Sequence, residues 1–323
     1  MTVVQAAGVT AEDWAAYKAK FLDGDGRIID NGNGDISHSE GQGYGLILAY
    51  LANNQADFEQ IWSFTRTELL LRDDGLAVWK WDPKAKPHVI DSNNASDGDL
   101  LIAYGLALGG AVWNRSDYTA AARRIAQALL KSAVIDTGGR TVLLPGLSGF
   151  GRADRSDGPV INPSYWVYET LPVMNMLAPS ERWQKLGVDG QDMLRSMQFG
   201  PRRLPADWVS IARQPKPAAG FSPEYGYNAL RIPLYLARAG VTDRPLLTTL
   251  TQGPTGTFDL PSGALKDTLD DPGYRLVSHI VGCVLDGKKL PDDVQRFDPV
   301  LYYPSTLQLL GLAFITEKHP ECL

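Results

Sequence analysis

The chain has 323 residues, 44% apolar and 21% charged, with a net charge of −6. That content suffices for a large core, and the length allows about two domains, although a single helical barrel also reaches this size. The Lys and Arg residues are scattered, which argues against a nucleic-acid partner, and no apolar run approaches the ~18 residues of a membrane span.

Residues 1–7 lack the basic and long apolar parts of a signal peptide. They read as a natural cytosolic start or as a mature form preceded by a start methionine. Residues 9–22 read as a first helix, with Glu12 and Asp13 after Thr10 and with Trp14, Tyr17 and Phe21 on one face. The following Asp/Gly/Asn run, residues 23–35, resembles a calcium loop. In register with Asp23, however, Arg27 falls on the third ligand position and Ile28 on the glycine, so a turn is expected.

Residues 39–53 and 57–71 have helical apolar spacing. Residues 77–83 read as a short extended segment closed by Pro83. If extended, it places Trp79 and Trp81 on the same face, since side chains alternate with period two. Aromatic faces suit the apolar faces of sugar rings, so both are candidates for a sugar groove, although both also fit a core. Helices are expected at 96–113 and 118–132. The Gly-rich stretch 135–159 reads as a site-shaping loop or a short hairpin. Further helices are expected at 163–177, weakened by Pro172, and at 179–198. Residues 204–209 look extended. Residues 225–239 read as a helix with a kink or late start at Pro233. Helices at 244–250, 274–285 and 303–317 complete a mostly α chain with short strands only in loops. Cys283 and Cys322 do not decide the compartment and leave a disulfide open.

Two stretches carry the chemistry. Ser39-Glu40-Gly41-Gln42-Gly43-Tyr44-Gly45-Leu46 and Ala95-Ser96-Asp97-Gly98-Asp99 are both polar, glycine-spaced lead-ins to apolar helical runs. Each puts a carboxylate at a helix mouth, near free N–H groups and the positive dipole end. That setting favours the charged form, so a proton donor there needs burial or a nearby negative charge. Two such carboxylates match acid–base work on a glycosidic bond, and they also match plain capping. Other chemistries fit poorly. His38, His88, His279 and His319 lack metal-ligand spacing, no Gly-x-Ser-x-Gly elbow is present, and the glycines at 41, 43 and 45 lack dinucleotide spacing. Neither metal nor cofactor is expected.

The first stretch resembles the Ser-Glu-Gly signature of glycoside hydrolase family 8, the bacterial endoglucanases. The second, with Trp113 beyond it, resembles that family's Ala-Ser-Asp-x-Asp run. Asn162-Pro163-Ser164-Tyr165, Leu204-Pro205-Ala206-Asp207-Trp208-Val209 and Tyr302-Tyr303-Pro304-Ser305-Thr306-Leu307 extend the likeness from about Trp14 to Phe314. Within the family, the chain resembles the periplasmic cellulases that accompany cellulose synthesis.

The resemblance implies a single catalytic domain over residues 1–323, an all-α (α/α)6 barrel with a loop-built cleft. It also implies an inverting endo-β-1,4-glucanase, a secreted or periplasmic mature form, a β-glucan partner, and a monomer near a cellulose-synthesis apparatus. Glu40 would be the general acid and Asp97 would hold the sugar at the cleavage subsite. The family's usual base is the Asp of a Tyr-Asp-x-x-Arg run. Here the run reads Tyr227-Asn228-Ala229-Leu230-Arg231, and a neutral amide is no base. Asp207 and Glu224 are the alternatives for that role. Tyr227 and Asn228 could hold the attacking water, and Arg231 could orient a carboxylate. Tyr165 and Trp208 join the substrate-binding candidates. Xylan, mixed-linkage glucan or chitosan as substrate, or glycan binding without cleavage, are the competing readings.

Overall fold

The computed structural model describes residues 8–323, so the reading of residues 1–7 lies outside it. Among the described residues there are twelve α-helices. They are α1 (Ala11–Phe21), α2 (Ser39–Leu51), α3 (Gln55–Phe64), α4 (Ser96–Val112), α5 (Ser116–Ser132) and α6 (Leu171–Leu177). The second half contributes α7 (Glu181–Ser196), α8 (Ile232–Arg238), α9 (Arg244–Thr251), α10 (Pro272–Asp286), α11 (Asp292–Gln295) and α12 (Tyr302–Lys318).

Their packing makes two concentric rings. Helix α2 lies on α4, α4 on α6, α8 on α10, α10 on α12, and α12 returns to α2. The step from α6 to α8 runs through the 3₁₀ turn Tyr168–Thr170 that leads into α6. Outside, α3 backs α2, α5 backs α4, α7 backs α6, α9 backs α8, α11 backs α10, and α1 backs α12. This is the (α/α)6 barrel.

Residue type explains which helix goes where. A helix that is apolar all round must be buried, and an amphipathic one can face water. Helices α2 and α12 bury residues around nearly their whole circumference. Helix α5 buries a single stripe, from Tyr118 through Ala122 and Ile125 to Leu129. The inner pair α2 and α4 approach closely because their contact is built on glycine. A Cβ on Gly43 would lie 2.5 Å from Leu101 Cβ, and one on Gly98 would lie 2.1 Å from Ser39 Oγ.

Strands are short and confined to connections. Ser37–His38 pairs with Lys80–Trp81. Val160–Ile161, Val209–Ser210 and Lys216–Pro217 form one three-stranded sheet, and Glu224–Tyr225, Gly256–Asp259 and Leu265–Thr268 form another. The glycine-rich stretch contains a hairpin, Val134–Thr137 with Arg140–Leu143. Two expected helices are shorter than their spacing predicts. Residues 163–177 break into two 3₁₀ turns and α6, with Pro172 in the first turn of α6, where no N–H is needed. Likewise α8 begins only at Ile232 because Pro233 suits a first turn. The second of those sheets' hairpin and α11 were not foreseen. Cys283 and Cys322 form a disulfide across 39 residues, tying the C-terminal end to α10.

Candidate active site

Helix N-termini of the inner ring open onto one end of the barrel. His38 caps α2, its Nδ1 accepting the Gly41 N–H at 2.9 Å. The proton of the neutral ring therefore sits on Nε2, 3.3 Å from Asp30 Oδ2. Glu40 follows in the first turn. Asp97 occupies the equivalent place in α4, where its Oδ1 accepts the Gly98 N–H at 2.8 Å. Ser96 fixes that turn by donating its hydroxyl to the Leu144 carbonyl at 2.6 Å.

Arg231 joins the two. Its Nη1 donates to Glu40 Oε1 at 2.6 Å and its Nη2 to Asp97 Oδ2 at 2.7 Å. The guanidinium also lies 5.8 Å from the Tyr165 ring centroid and 5.7 Å from that of Tyr235. Two carboxylates and one guanidinium would leave a net negative charge in a desolvated place. Burial, with the Glu40 charge added, pushes Asp97 up to about 6 although Arg231 pulls the other way. The proton taken up belongs to the pair. Exposure separates the partners: 19% of the Glu40 side chain is open to solvent against 1% of Asp97.

Above this cluster is an open depression of about 320 Å³. Its floor and near wall include Asp30, Asn33, His38, Glu40 and Asp97. Trp79, Tyr165, Trp208, Tyr227 and Asn228 line it further, with Tyr302 and Tyr303. Trp208 is held rigidly between Phe150 (centroids 5.4 Å apart) and Phe221 (4.6 Å). The Tyr303 hydroxyl donates to the Tyr227 carbonyl at 2.9 Å.

Two sequence expectations need correction. Trp81 does not share the cleft with Trp79. Only Lys80–Trp81 is in a strand, so period-two alternation does not reach back to residue 79. Trp81 stacks on His88 at 4.1 Å, meets Phe64 edge-on and donates to Glu68 at 3.2 Å. Glu224 is not among the cleft-lining residues either. Its strand pairs with Gly256–Asp259, and its carboxylate is ion-paired to Lys266 on the next strand of the same sheet.

Asp207 lies behind the lining at 5% exposure. Its Oδ1 accepts the N–H groups of Gly226 and Ala229, each at 2.9 Å, and its Oδ2 accepts the Asn228 amide at 3.2 Å. Burial raises its pKa against those three donors. Sequence reasoning missed Asp30 and His38. In the sequence Asp30 reads as part of a Gly-Asn-Asp turn, and His38 has no metal-ligand spacing. Its place directly before the Ser39-Glu40 lead-in was the usable signal.

An (α/α)6 barrel with paired carboxylates beneath an aromatic-walled open cleft has the make-up of a glycoside hydrolase. The family model Glycosyl hydrolases family 8 matches residues 1–264, and the chain belongs to that family. A probable endoglucanase of Novacetimonas hansenii is 35% identical over 311 residues, covering 93% of this chain and 89% of that protein. An endoglucanase of Cellulomonas uda is 38% identical over 226 residues, which is 69% of this chain and 62% of that protein. Among solved structures, the endo-β-1,4-glucanase CMCax from Acetobacter xylinum superimposes with a TM-score of 0.84 at 34% identity, covering 95% of this chain and 98% of that one.

Proposed function

We propose that this chain is an endo-β-1,4-glucanase that cleaves internal bonds of cellulose-like glucans by an inverting acid–base mechanism. The observation carrying the proposal is the grip of Arg231 on both Glu40 and Asp97 at the floor of an open cleft. The depression over the cluster is open to solvent, as access for a long chain requires. Relatives named as endoglucanases support the glucan as substrate.

Glu40 is the general acid. It is the carboxyl with exposed surface, so it can reach the oxygen of the leaving sugar. Asp97, occluded and on the same guanidinium, holds the sugar at the cleavage subsite. Two carboxyls gripping one guanidinium do not straddle a ring, so Asp97 is not the residue that activates water on the far face. The Trp79 ring would stack on a sugar unit beside the cleaved bond, while Trp208, its faces covered by Phe150 and Phe221, would meet the sugar with its edge.

A disulfide persists in oxidising surroundings, which supports a periplasmic or secreted protein. A single catalytic domain acting as a monomer beside a cellulose-synthesis apparatus completes the proposal. Light scattering and co-purification test those last two points. For the chemistry, Glu40→Gln should abolish release of reducing ends from a soluble cellulose derivative while the helical circular dichroism is kept. Near-normal turnover in that variant refutes the assignment.

A further inference from the structure

Inversion needs a base for the attacking water on the face of the sugar away from Glu40, and the side chain at position 228 is a neutral amide. We propose that Asn228 receives the water's proton and hands one of its own to Asp207, so that a buried carboxylate serves as the terminal base through an amide. The inference rests on the glucanase reading and deepens it.

Hydrogen bonding fixes the orientation of the amide. Asp207 Oδ2 is an acceptor, so the group of Asn228 facing it at 3.2 Å is the NH₂. Asn228 Oδ1 is then turned away from Asp207, and Asn228 lines the cleft where Asp207 does not. The other Asp207 oxygen is taken by the N–H groups of Gly226 and Ala229. Asn228 is therefore the contact that connects this carboxylate to the cleft. Burial also raises the Asp207 pKa, which makes it a stronger proton acceptor than an exposed carboxylate.

Water oxygen bonds to the anomeric carbon as the bond from that carbon to the leaving oxygen breaks. The leaving oxygen keeps the electron pair and takes the Glu40 proton. One water proton goes to Asn228 Oδ1 while a proton on Asn228 Nδ2 passes to Asp207 Oδ2. The amide is then in its imidic acid form. It resets when Asp207 returns the proton to nitrogen and the oxygen-bound proton leaves to solvent, from which Glu40 is recharged. Asn228 is the catalytic residue here, and Asp207 is the positioning residue behind it.

Asp30 is the competing acid, because it lines the cleft directly. Its Oδ1 accepts the Gly32 N–H and its Oδ2 faces His38, the cap of the helix that carries Glu40. That ties it to the acid's own wall.

The test measures kcat, KM and reducing-end release on a soluble cellulose derivative for wild type, E40Q, D30N, D207N, N228A and the double variant D207N/N228D. Cello-oligosaccharide binding by calorimetry and thermal melting accompany each. D207N and N228A should each lose about 10²–10⁴-fold in kcat with KM, binding and melting little changed. D207N/N228D, with a carboxylate directly on the cleft, should recover most of that loss, and the acid limb of its kcat–pH profile should move. A merely structural Asp207 would leave kcat near wild type in D207N, or lower it only together with binding and melting temperature, and either result overturns the inference. Wild-type activity lost in E40Q but kept in D207N also overturns it while leaving the glucanase reading intact. Loss in D30N beside full activity in D207N overturns it and moves the base to Asp30. A wild-type chain that releases no reducing ends overturns both readings together.

Discussion

One wall of the cleft stands on the N-terminal turns of α2 and α4. The facing wall stands on Val209–Ser210, the Gly226 bend and the 3₁₀ turn Ala229–Arg231. The first wall is regular: two inner-ring helices start side by side, and each offers a carboxylate from its first turn. The second is a patchwork of short pieces whose polar groups are held by one another. Arg231 crosses from the patchwork to the helices, and Asp207 ties the patchwork to itself. The carboxylates of the helical wall are thus held by a guanidinium reaching across from the other wall, and the Asp207 carboxylate by its own wall's backbone N–H groups and the Asn228 amide.

The sharpest way to break this contrast is to remove the bridge. Arg231→Met leaves Glu40 and Asp97 without their shared cation, and at pH 7 should cost about 3–5 kcal/mol in denaturant unfolding along with most activity. The loss should shrink near pH 5, where a carboxyl can take up a proton. Gly98→Ala attacks the regular wall instead. The new Cβ would meet Ser39 Oγ and the Glu40 backbone nitrogen at 2.1 and 2.7 Å, and backbone gives way poorly. We expect about 1–3 kcal/mol of destabilisation. Displacing Glu40 from its working position should lower kcat on the order of 10²-fold.

Asp97 has its pKa raised from 3.8 to about 6 by burial, so the fold binds its proton more tightly than the unfolded chain does. That contribution is full below pH 3.8 and is lost as the pH rises through about 6. Asp99, two residues further along the same helix, is raised by burial to about 7 and acts in the same direction. Asp97→Asn should flatten the fall in stability over that interval, as read by melting temperature against pH. Trp79, whose carbonyl accepts the Ser39 N–H at the start of α2, belongs to the helical wall, and Trp79→Ala should weaken cello-oligosaccharide binding about tenfold, roughly 1.4 kcal/mol. Trp81→Ala should leave binding unchanged and lower the melting temperature. The smallest effect belongs to Glu224→Gln, expected within about 0.5 kcal/mol in stability and without effect on kcat.

The same contrast explains what could be read from the sequence. The lead-ins at Ser39 and Ser96 announce themselves locally, because a polar residue, glycine spacing and an apolar run are consecutive. The inner ring is legible for the same reason, since an all-round apolar helix has nowhere to go but inside. Asp207 and Asn228 meet across a loop, and nothing near either residue marks the other. Trp79 and Trp81 were paired by an alternation that a two-residue strand is too short to enforce. Glu224 seemed available because Lys266, its partner, lies on a hairpin that sequence pattern did not reveal. Proline was a sound guide at Pro233, where the helix starts late, and at Pro172, where it is shortened.

The bond between Cys283 and Cys322 joins the tail to α10 near that helix's C-terminal end, while the N-terminal ends of α2, α4 and α12 face the cleft. The last residue, Leu323, therefore sits at the base of the barrel. A bead or sensor chip coupled there would hold the enzyme upright, with its groove turned toward whatever polymer flows past.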